Sequence, residues 1–495
     1  MTDVVQKLWG FCHTLRHDGV DYGDYIEQLT YLLFLKMADE RGIDLSRTSY
    51  LDEKEKKVEI DCSWPGLEAK SGLALNDHYV RVLQTLGRQK GLLGAIFAKA
   101  ISRFNNPVNL KKLIGLIDET EWTSLDIDVK AAAFEGLLEK AASEGKKGAG
   151  QYFTPRILIQ TMVRCIKPDP RTNPEFTISD PACGTGGFLV ASYEWFIYLV
   201  AGAMDRALAN RVKRGTYFGQ ELVDRPKRLA LMNLYLHGLE PQIKGGDSIA
   251  ETPDGRRFDV ILTNPPFGTK GASDFPNRED FTIETTNKQL NFLQHVMTIL
   301  KKGGRAAIVL PDNCLFADQA GEVFNILMQD CNVHTVLRLP NGTFTPYSPG
   351  TKTNVVFFTK GQPTETMWVY DARTNVPHIT KKDRPLTPEH FLAFERCFGS
   401  DPNGRSKRKE SDSKEDRWHS FPITEIKNHN YKIDGLKWLK DESLDDMDDL
   451  PEPEELATDA IAELESAVEE LNAVIALLEN GNGNGTVAAK PAKNK

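Results

Sequence analysis

From about residue 150 onward, short apolar runs alternate with longer helical ones, and this alternation leaves few folds open. Residues 176–179, 216–220, 260–263, 305–310, 333–339 and 354–359 are brief runs of strand-forming character. Between them, residues 188–200, 225–237 and 287–300 read as helices. Such alternation predicts an α/β fold, a mostly parallel sheet with helices on both faces. In that architecture ligands sit beyond the carboxyl ends of the strands.

The flanking regions differ. Tyr25, Ile26, Leu29, Leu32, Leu33 and Met37 recur at three- and four-residue steps, so residues 1–145 are expected to form an all-α N-terminal domain. A glycine-rich stretch near Gly145–Gly150 marks its end, and the catalytic-type domain is expected over 146–375 with an extension over 376–440. Residues 403–417 read as a solvated charged loop. Residues 441–480 form an acidic run followed by a seam, Ala457, Ile461, Leu464, Val468, Leu471, Ile475 and Leu478, that needs a partner helix. The tail 481–495, rich in Gly and Asn, is expected to be disordered.

Charge and cysteine usage narrow the class. The net charge of −9 is misleading, because residues 441–470 alone hold 14 Asp and Glu and no Lys or Arg. The remainder carries 61 basic against 56 acidic residues, which permits a DNA partner. Seven cysteines without a CxxC spacing fit a reduced cytoplasmic chain and no zinc site. No leader pattern opens the sequence, and its most membrane-like run, 187–204, is interrupted by Glu194.

Two motifs carry the chemistry. In FTISDPACGTGGF a strand ends at Asp180, and Gly184, Thr185 and Gly186 form the turn into a helix. Glycines there let a ligand approach the backbone, and the helix start offers N–H groups to an anion. The turn is not GxGxxG and the chain has no GK[ST], so dinucleotide and P-loop readings fail. A cofactor whose anion is a carboxylate, such as S-adenosylmethionine, suits it better. Glu221 ends the next strand, where an acid accepts from a ribose diol, and Asp247 follows a further glycine pair, placed to meet an adenine amino group.

The second motif closes the strand of FDVILTNPPFG. Pro265 and Pro266 cannot donate to a ladder, so the strand stops, and Asn264 before them is pushed to extended geometry. Its amide carbonyl, with a neighbouring backbone carbonyl, can accept both hydrogens of an exocyclic amine whose lone pair is otherwise delocalised. Phe267 offers a face on which a flipped-out base can stack, worth about 1–3 kcal/mol.

DPACGTGGF followed by NPPF resembles the S-adenosylmethionine-dependent amino-methyltransferases. More closely, the chain resembles the modification (M) subunits of type I restriction–modification systems, adenine-N6 DNA methyltransferases of the gamma branch. LWGFCHTLR, YLLFLKMADE, GAGQYFTPRILIQTMV, PGTKTNVVFFTK and NYKIDGLKWL carry the likeness across most of the chain. The resemblance implies a Rossmann-like methyltransferase domain with a C-terminal helical docking segment. It implies Asn264, Pro265, Pro266 and Phe267 as catalytic motif, and Asp180, Gly184, Thr185, Gly186 and Glu221 as cofactor site. Gln151, Tyr152, Phe153, Thr154, Pro155 and Arg156 match the cofactor segment that precedes the glycine turn. Thr154-Pro155 also reads independently as a helix N-cap followed by proline at the first helical position. The implied partners are double-stranded DNA, one specificity (S) subunit for two M copies, and a restriction (R) subunit. Competing readings keep the motif and change the substrate to a protein glutamine or RNA, or treat the fold as a non-catalytic scaffold. His13 and His17 share a helix face but lack the acid of HExxH, so a metal hydrolase is the weakest reading.

Overall fold

A computed structural model of the 495-residue chain describes residues 6–122, 154–409 and 416–440 apart from 7–8, 13–14, 17–18, 52–53, 55, 202, 268–275, 277, 346–347 and 349. The expected docking segment and tail, residues 441–495, lie outside them. Residues 1–439 form one compact unit.

The N-terminal region is helical, with its longest helix at Tyr22–Glu40, capped by the Asp21 side chain on the Asp24 N–H. The expectation of an all-α region needs one correction. Strands β1 (Thr48–Leu51) and β2 (Lys57–Ile60) pair antiparallel as a hairpin. Four-residue strands, with only Val58 and Ile60 alternating against Lys57 and Glu59, are too short to stand out against helical periodicity.

The rest of the unit is built on a nine-stranded sheet. Its strands are β3 (Ile178–Asp180), β4 (Tyr217–Glu221), β5 (Gln242–Gly245), β6 (Phe258–Thr263), β7 (Leu300–Pro311), β8 (Cys331–Arg338), β9 (Thr353–Lys360), β10 (Thr366–Asp371) and β11 (Trp418–Pro422). They lie in the order β11-β10-β8-β9-β7-β6-β3-β4-β5. Strands β7, β6, β3, β4 and β5 run parallel, and β9 enters antiparallel between β7 and β8. The order reverses at β3, which is flanked by β4 on one side and β6 on the other, and this is where an open α/β sheet leaves a crevice.

Central strands are largely apolar because both faces are covered. In β6, Val260 and Leu262 join the core on one face and Ile261 the core on the other, all with no exposed surface. Strand β5 escaped the sequence reading because Gln242–Gly245 is an edge with mixed residues. β11, drawn from the weakly patterned residues beyond 375, closes the other edge by pairing with β10.

The charged 403–417 stretch is only partly solvated. Arg408 donates to the carbonyls of His334 (2.9 Å) and Phe398 (3.0 Å) and lies over the Phe398 and Trp418 rings, a structural use that charge density alone does not reveal.

The helix Asp224–Leu236 links the two parts of the unit. Leu229, Met232, Tyr235 and Leu236 pack into the N-terminal core, while Ala230 and Leu234 pack toward the sheet. A helix buried all round needs its charges paired. Arg228 donates to Glu27 and to the Ala98 carbonyl (3.0 Å), and Arg225 reaches Asp24 at 2.7 Å. Among the described residues no helix is long and apolar enough to cross a membrane.

Candidate active site

The site assembles where β3 and β6 end side by side. Ile178 and Ser179 register with Val260 and Ile261, so Asp180 and Thr263 emerge together. The Thr263 hydroxyl donates to Asp180 Oδ1 at 2.7 Å, and the Ala182 N–H donates to the same oxygen at 3.0 Å. Asp180 is buried, and desolvation lifts its carboxyl to about 7 despite these two donors; nearby Glu221 pushes the same way. A group raised in the fold costs stability as pH rises. The penalty is absent below the unfolded value near 4 and complete above 7, about 3–4 kcal/mol at most. Asp180→Asn keeps the acceptor without the charge. It should therefore melt above the parent at pH 8, and the gap should shrink toward zero as pH falls to 4, as thermal melts across pH will show.

The glycine turn has the geometry that its sequence requires. Gly184 and Gly186 adopt φ values of +52° and +82°; a Cβ added at Gly184 would meet nothing within 4 Å, so the backbone there faces open space, whereas one at Gly186 would meet Ala230 at 3.4 Å. Gly186 is the N-cap of the helix Gly187–Val200 and donates to the Cys183 carbonyl at 2.7 Å. The Thr185 carbonyl accepts from Asn233 at 3.2 Å. Glu221, at the end of β4, accepts from the Gly184 N–H (2.9 Å) and the Val223 N–H (2.8 Å), which ties the two strand ends together and leaves lone-pair directions for a ligand. Asp247 accepts from the Ile249 and Ala250 N–H groups at 3.0 and 3.2 Å. Behind it, buried Arg278 donates to the carbonyls of Ser248 and Glu251 and pairs with Asp280. Its guanidinium also donates to His295 Nδ1 at 3.2 Å; burial, and that charge, hold the imidazole neutral, its pKa lowered to about 3.

Three carboxylates and an open glycine turn form an acceptor-rich site. It fits a cofactor with a cationic sulfonium, a ribose diol and an adenine amine, and it does not look like a phosphate cradle. Gln151, Tyr152 and Phe153 fall outside the described residues.

The Asn264-Pro265-Pro266-Phe267 turn follows β6 without a ladder partner. Asn264 Nδ2 donates to Thr154 Oγ1 at 2.9 Å, and Asn264 Oδ1 is buried with no hydrogen-bond partner among the described residues. A buried acceptor without a protein partner is open to water or to a ligand. Pro265 is buried, and the Pro266 carbonyl accepts from Gln289 Nε2 at 2.5 Å. Phe267 packs edge-on against buried Phe344, ring centroids 5.7 Å apart.

The sequence reading of Thr154-Pro155 as cap and first helical residue is corrected here. The helix runs Arg156–Ile166, Pro155 is its N-cap, and the Thr154 hydroxyl is engaged with Asn264. Arg156 pairs with both oxygens of Glu194 at 3.0 Å, on the helix that follows the glycine turn. Gln289 was not foreseen. Its signal was legible: Gln289, Asn291, Gln294 and His295 are polar residues buried in one helix, Lys288–Ile299, and buried polar groups need partners.

An open sheet with its switch point between a carboxylate-plus-glycine turn and an Asn-Pro-Pro-Phe strand end is the layout of an S-adenosylmethionine-dependent amino-methyltransferase. Comparison with known proteins agrees. Residues 125–446 match the family model of N-6 DNA methylases, and residues 4–117 match that of the HsdM N-terminal domain. The EcoKI type I restriction enzyme methylase subunit of Escherichia coli K12 is 37% identical, over 96% of this chain and 94% of that relative. The StySPI methylase subunit of Salmonella potsdam is also 37% identical, over 97% and 96%. Among solved structures, the EcoKI M protein aligns over 96% of both chains with 33% identity and a TM-score of 0.54. A structure from a study of type I R-M complex assembly aligns over 97% of this chain and 99% of its own, with 26% identity and a TM-score of 0.69. The chain belongs to the methylase (M) subunits of type I restriction enzymes, adenine-N6 DNA methyltransferases whose methyl donor is S-adenosylmethionine.

Proposed function

We propose that Asn264, Pro265, Pro266 and Phe267 carry the methyl transfer, and that Asp180, Gly184, Thr185, Gly186, Glu221 and Asp247 hold the cofactor. Gln151, Tyr152, Phe153, Pro155 and Arg156 complete the cofactor segment, and Thr154 within it faces Asn264. The observation that carries this reading is the buried, unpartnered Asn264 Oδ1 beside the glycine turn. When bound, S-adenosylmethionine supplies an electrophilic methyl group on sulfur.

The chain's own residues do the rest. Asn264 Oδ1 accepts one hydrogen of the adenine amine and a backbone carbonyl of the proline turn accepts the other. Both acceptors pull electron density onto N6 and aim its lone pair outward, away from the ring. That lone pair would then face the methyl group that the bound cofactor supplies, and after transfer N6 would lose one proton to solvent. Phe267 supports the flipped base by stacking. Glu221 accepts from the ribose diol and Asp247 from the cofactor's adenine amine.

On this reading two copies of the chain join one specificity subunit, which reads the DNA sequence, and a restriction subunit can join them. The product protects host DNA in the cytoplasm. The heptad seam within 441–480 is the docking helix for the specificity subunit. The host genome provides the test. With the parent chain, N6-methyladenine should recur at one sequence. Deleting residues 450–480 should erase the mark and abolish co-purification of the partner. Retained co-purification would overturn the docking assignment, and a parental genome free of N6-methyladenine would overturn the substrate.

A further inference from the structure

We propose that Thr154 and Gln289 are positioning residues of the methyl transfer, a clamp that fixes the Asn264–Pro266 turn from two sides. The inference rests on Asn264 being the catalytic amide.

A turn made of Asn-Pro-Pro has an inherent weakness. Neither proline has an N–H, so this stretch of backbone cannot be held by donating to a neighbouring strand. Its position must come from contacts to its carbonyls and to the Asn264 side chain. Two such contacts are present, and they arise from opposite ends of the sequence around it. On one side, the Thr154 hydroxyl, 110 residues earlier, accepts from Asn264 Nδ2 at 2.9 Å. On the other, Gln289 Nε2, 23 residues later, donates to the Pro266 carbonyl at 2.5 Å.

The Thr154 contact holds the Asn264 side chain itself. A hydroxyl can donate or accept, so this contact fixes where the amide sits rather than which of its ends faces the substrate. In the arrangement present, Nδ2 engages Thr154 and Oδ1 has no partner among the described residues. Thr154 thus couples the segment before the glycine turn to the position of the catalytic acceptor.

Gln289 is built to be rigid. It is fully buried, in the first turn of the helix Lys288–Ile299, where the Asn287 side chain accepts from the Gln289 and Leu290 N–H groups at 3.0 and 3.1 Å. Asn287 in turn donates its own N–H to the Thr285 hydroxyl at 3.1 Å, and Asn291 donates to the Thr285 carbonyl at 2.8 Å. A polar network that locks a helix start and then aims the Gln289 amide at a proline carbonyl is a support for that turn. Gln289 Oε1 is buried without a partner among the described residues, so the Nε2 contact is what anchors this side chain.

The test uses the full chain assembled with its native partner subunits. Thr154→Val, Thr154→Ser, Gln289→Leu and Asn264→Ala are compared for single-turnover transfer rate, S-adenosylmethionine dissociation constant and melting temperature. Thr154→Val should slow transfer about 30-fold and Gln289→Leu about 10-fold, the size expected for a misplaced reacting group, with cofactor affinity within about threefold of the parent. Thr154→Ser, which keeps the hydroxyl, should return the rate to near the parent. Parental rates in both Thr154→Val and Gln289→Leu beside a dead Asn264→Ala would overturn the clamp alone. A Thr154→Val rate loss matched by an equal loss of cofactor affinity would make Thr154 a cofactor contact and also overturn it. An active Asn264→Ala would overturn the reading on which the clamp rests.

Discussion

Asn264→Ala should cut the rate of methyl transfer at least 1,000-fold while leaving cofactor affinity and the melting temperature near those of the parent. The magnitude follows from what the amide does. Removing a single preorganised acceptor or donor from a buried transition-state site costs about 100- to 1,000-fold. Here the same group must also localise a lone pair that the purine ring otherwise withdraws, so the upper end applies. Stability should be spared, because Asn264 Oδ1 makes no hydrogen bond with the described residues and Nδ2 makes one, to Thr154. Single-turnover assays with saturating cofactor separate this loss from any effect on binding. A variant within tenfold of the parent would contradict the assignment.

The second large effect should be on binding. Glu221→Ala removes the acceptor for the Gly184 and Val223 N–H groups, at 2.9 and 2.8 Å, along with the expected ribose contact. Hydrogen bonds to a carboxylate are worth about 1.5–3 kcal/mol each, so loss of the set should weaken S-adenosylmethionine about 100-fold. Glu221→Gln keeps one oxygen acceptor and should lose about tenfold. Calorimetric titration of the assembled enzyme measures both. The two phenotypes are complementary: Asn264→Ala should bind and fail to transfer, whereas Glu221→Ala should transfer once the cofactor is raised to saturation. A Glu221→Ala variant with parental affinity would remove this carboxylate from the cofactor site.

Much of this was legible in the residues because the strongest signals are covalent. Pro265 and Pro266 stop β6 wherever it lies, and Gly184 and Gly186 at positive φ are turn residues that few others replace. Six of the seven interior strands were visible as apolar runs because their faces are largely buried, and β10, which starts on exposed Thr366, was not. The edge strand β5 and the hairpin β1–β2 were not, because half-exposed short strands carry little pattern. Long-range pairing was the other hidden layer. Nothing in the TP of QYFTP says that the Thr154 hydroxyl reaches Asn264 rather than capping the helix behind it. Likewise, the charge-rich 403–417 stretch does not announce that Arg408 lies over two aromatic rings. Partners such as Thr154 and Asn264, 110 residues apart, are set by the sheet order, and only the fold reveals them.

The account stands or falls on one transfer. The assembled enzyme, purified from its host and given labelled S-adenosylmethionine and unmodified duplex DNA from a strain lacking the system, should place the label on adenine N6, as identified by mass spectrometry of the digested product. The same preparation carrying Asn264→Ala should leave the DNA unlabelled. Label on a protein glutamine or on RNA with the DNA blank, or equal labelling of DNA by the variant, would contradict it.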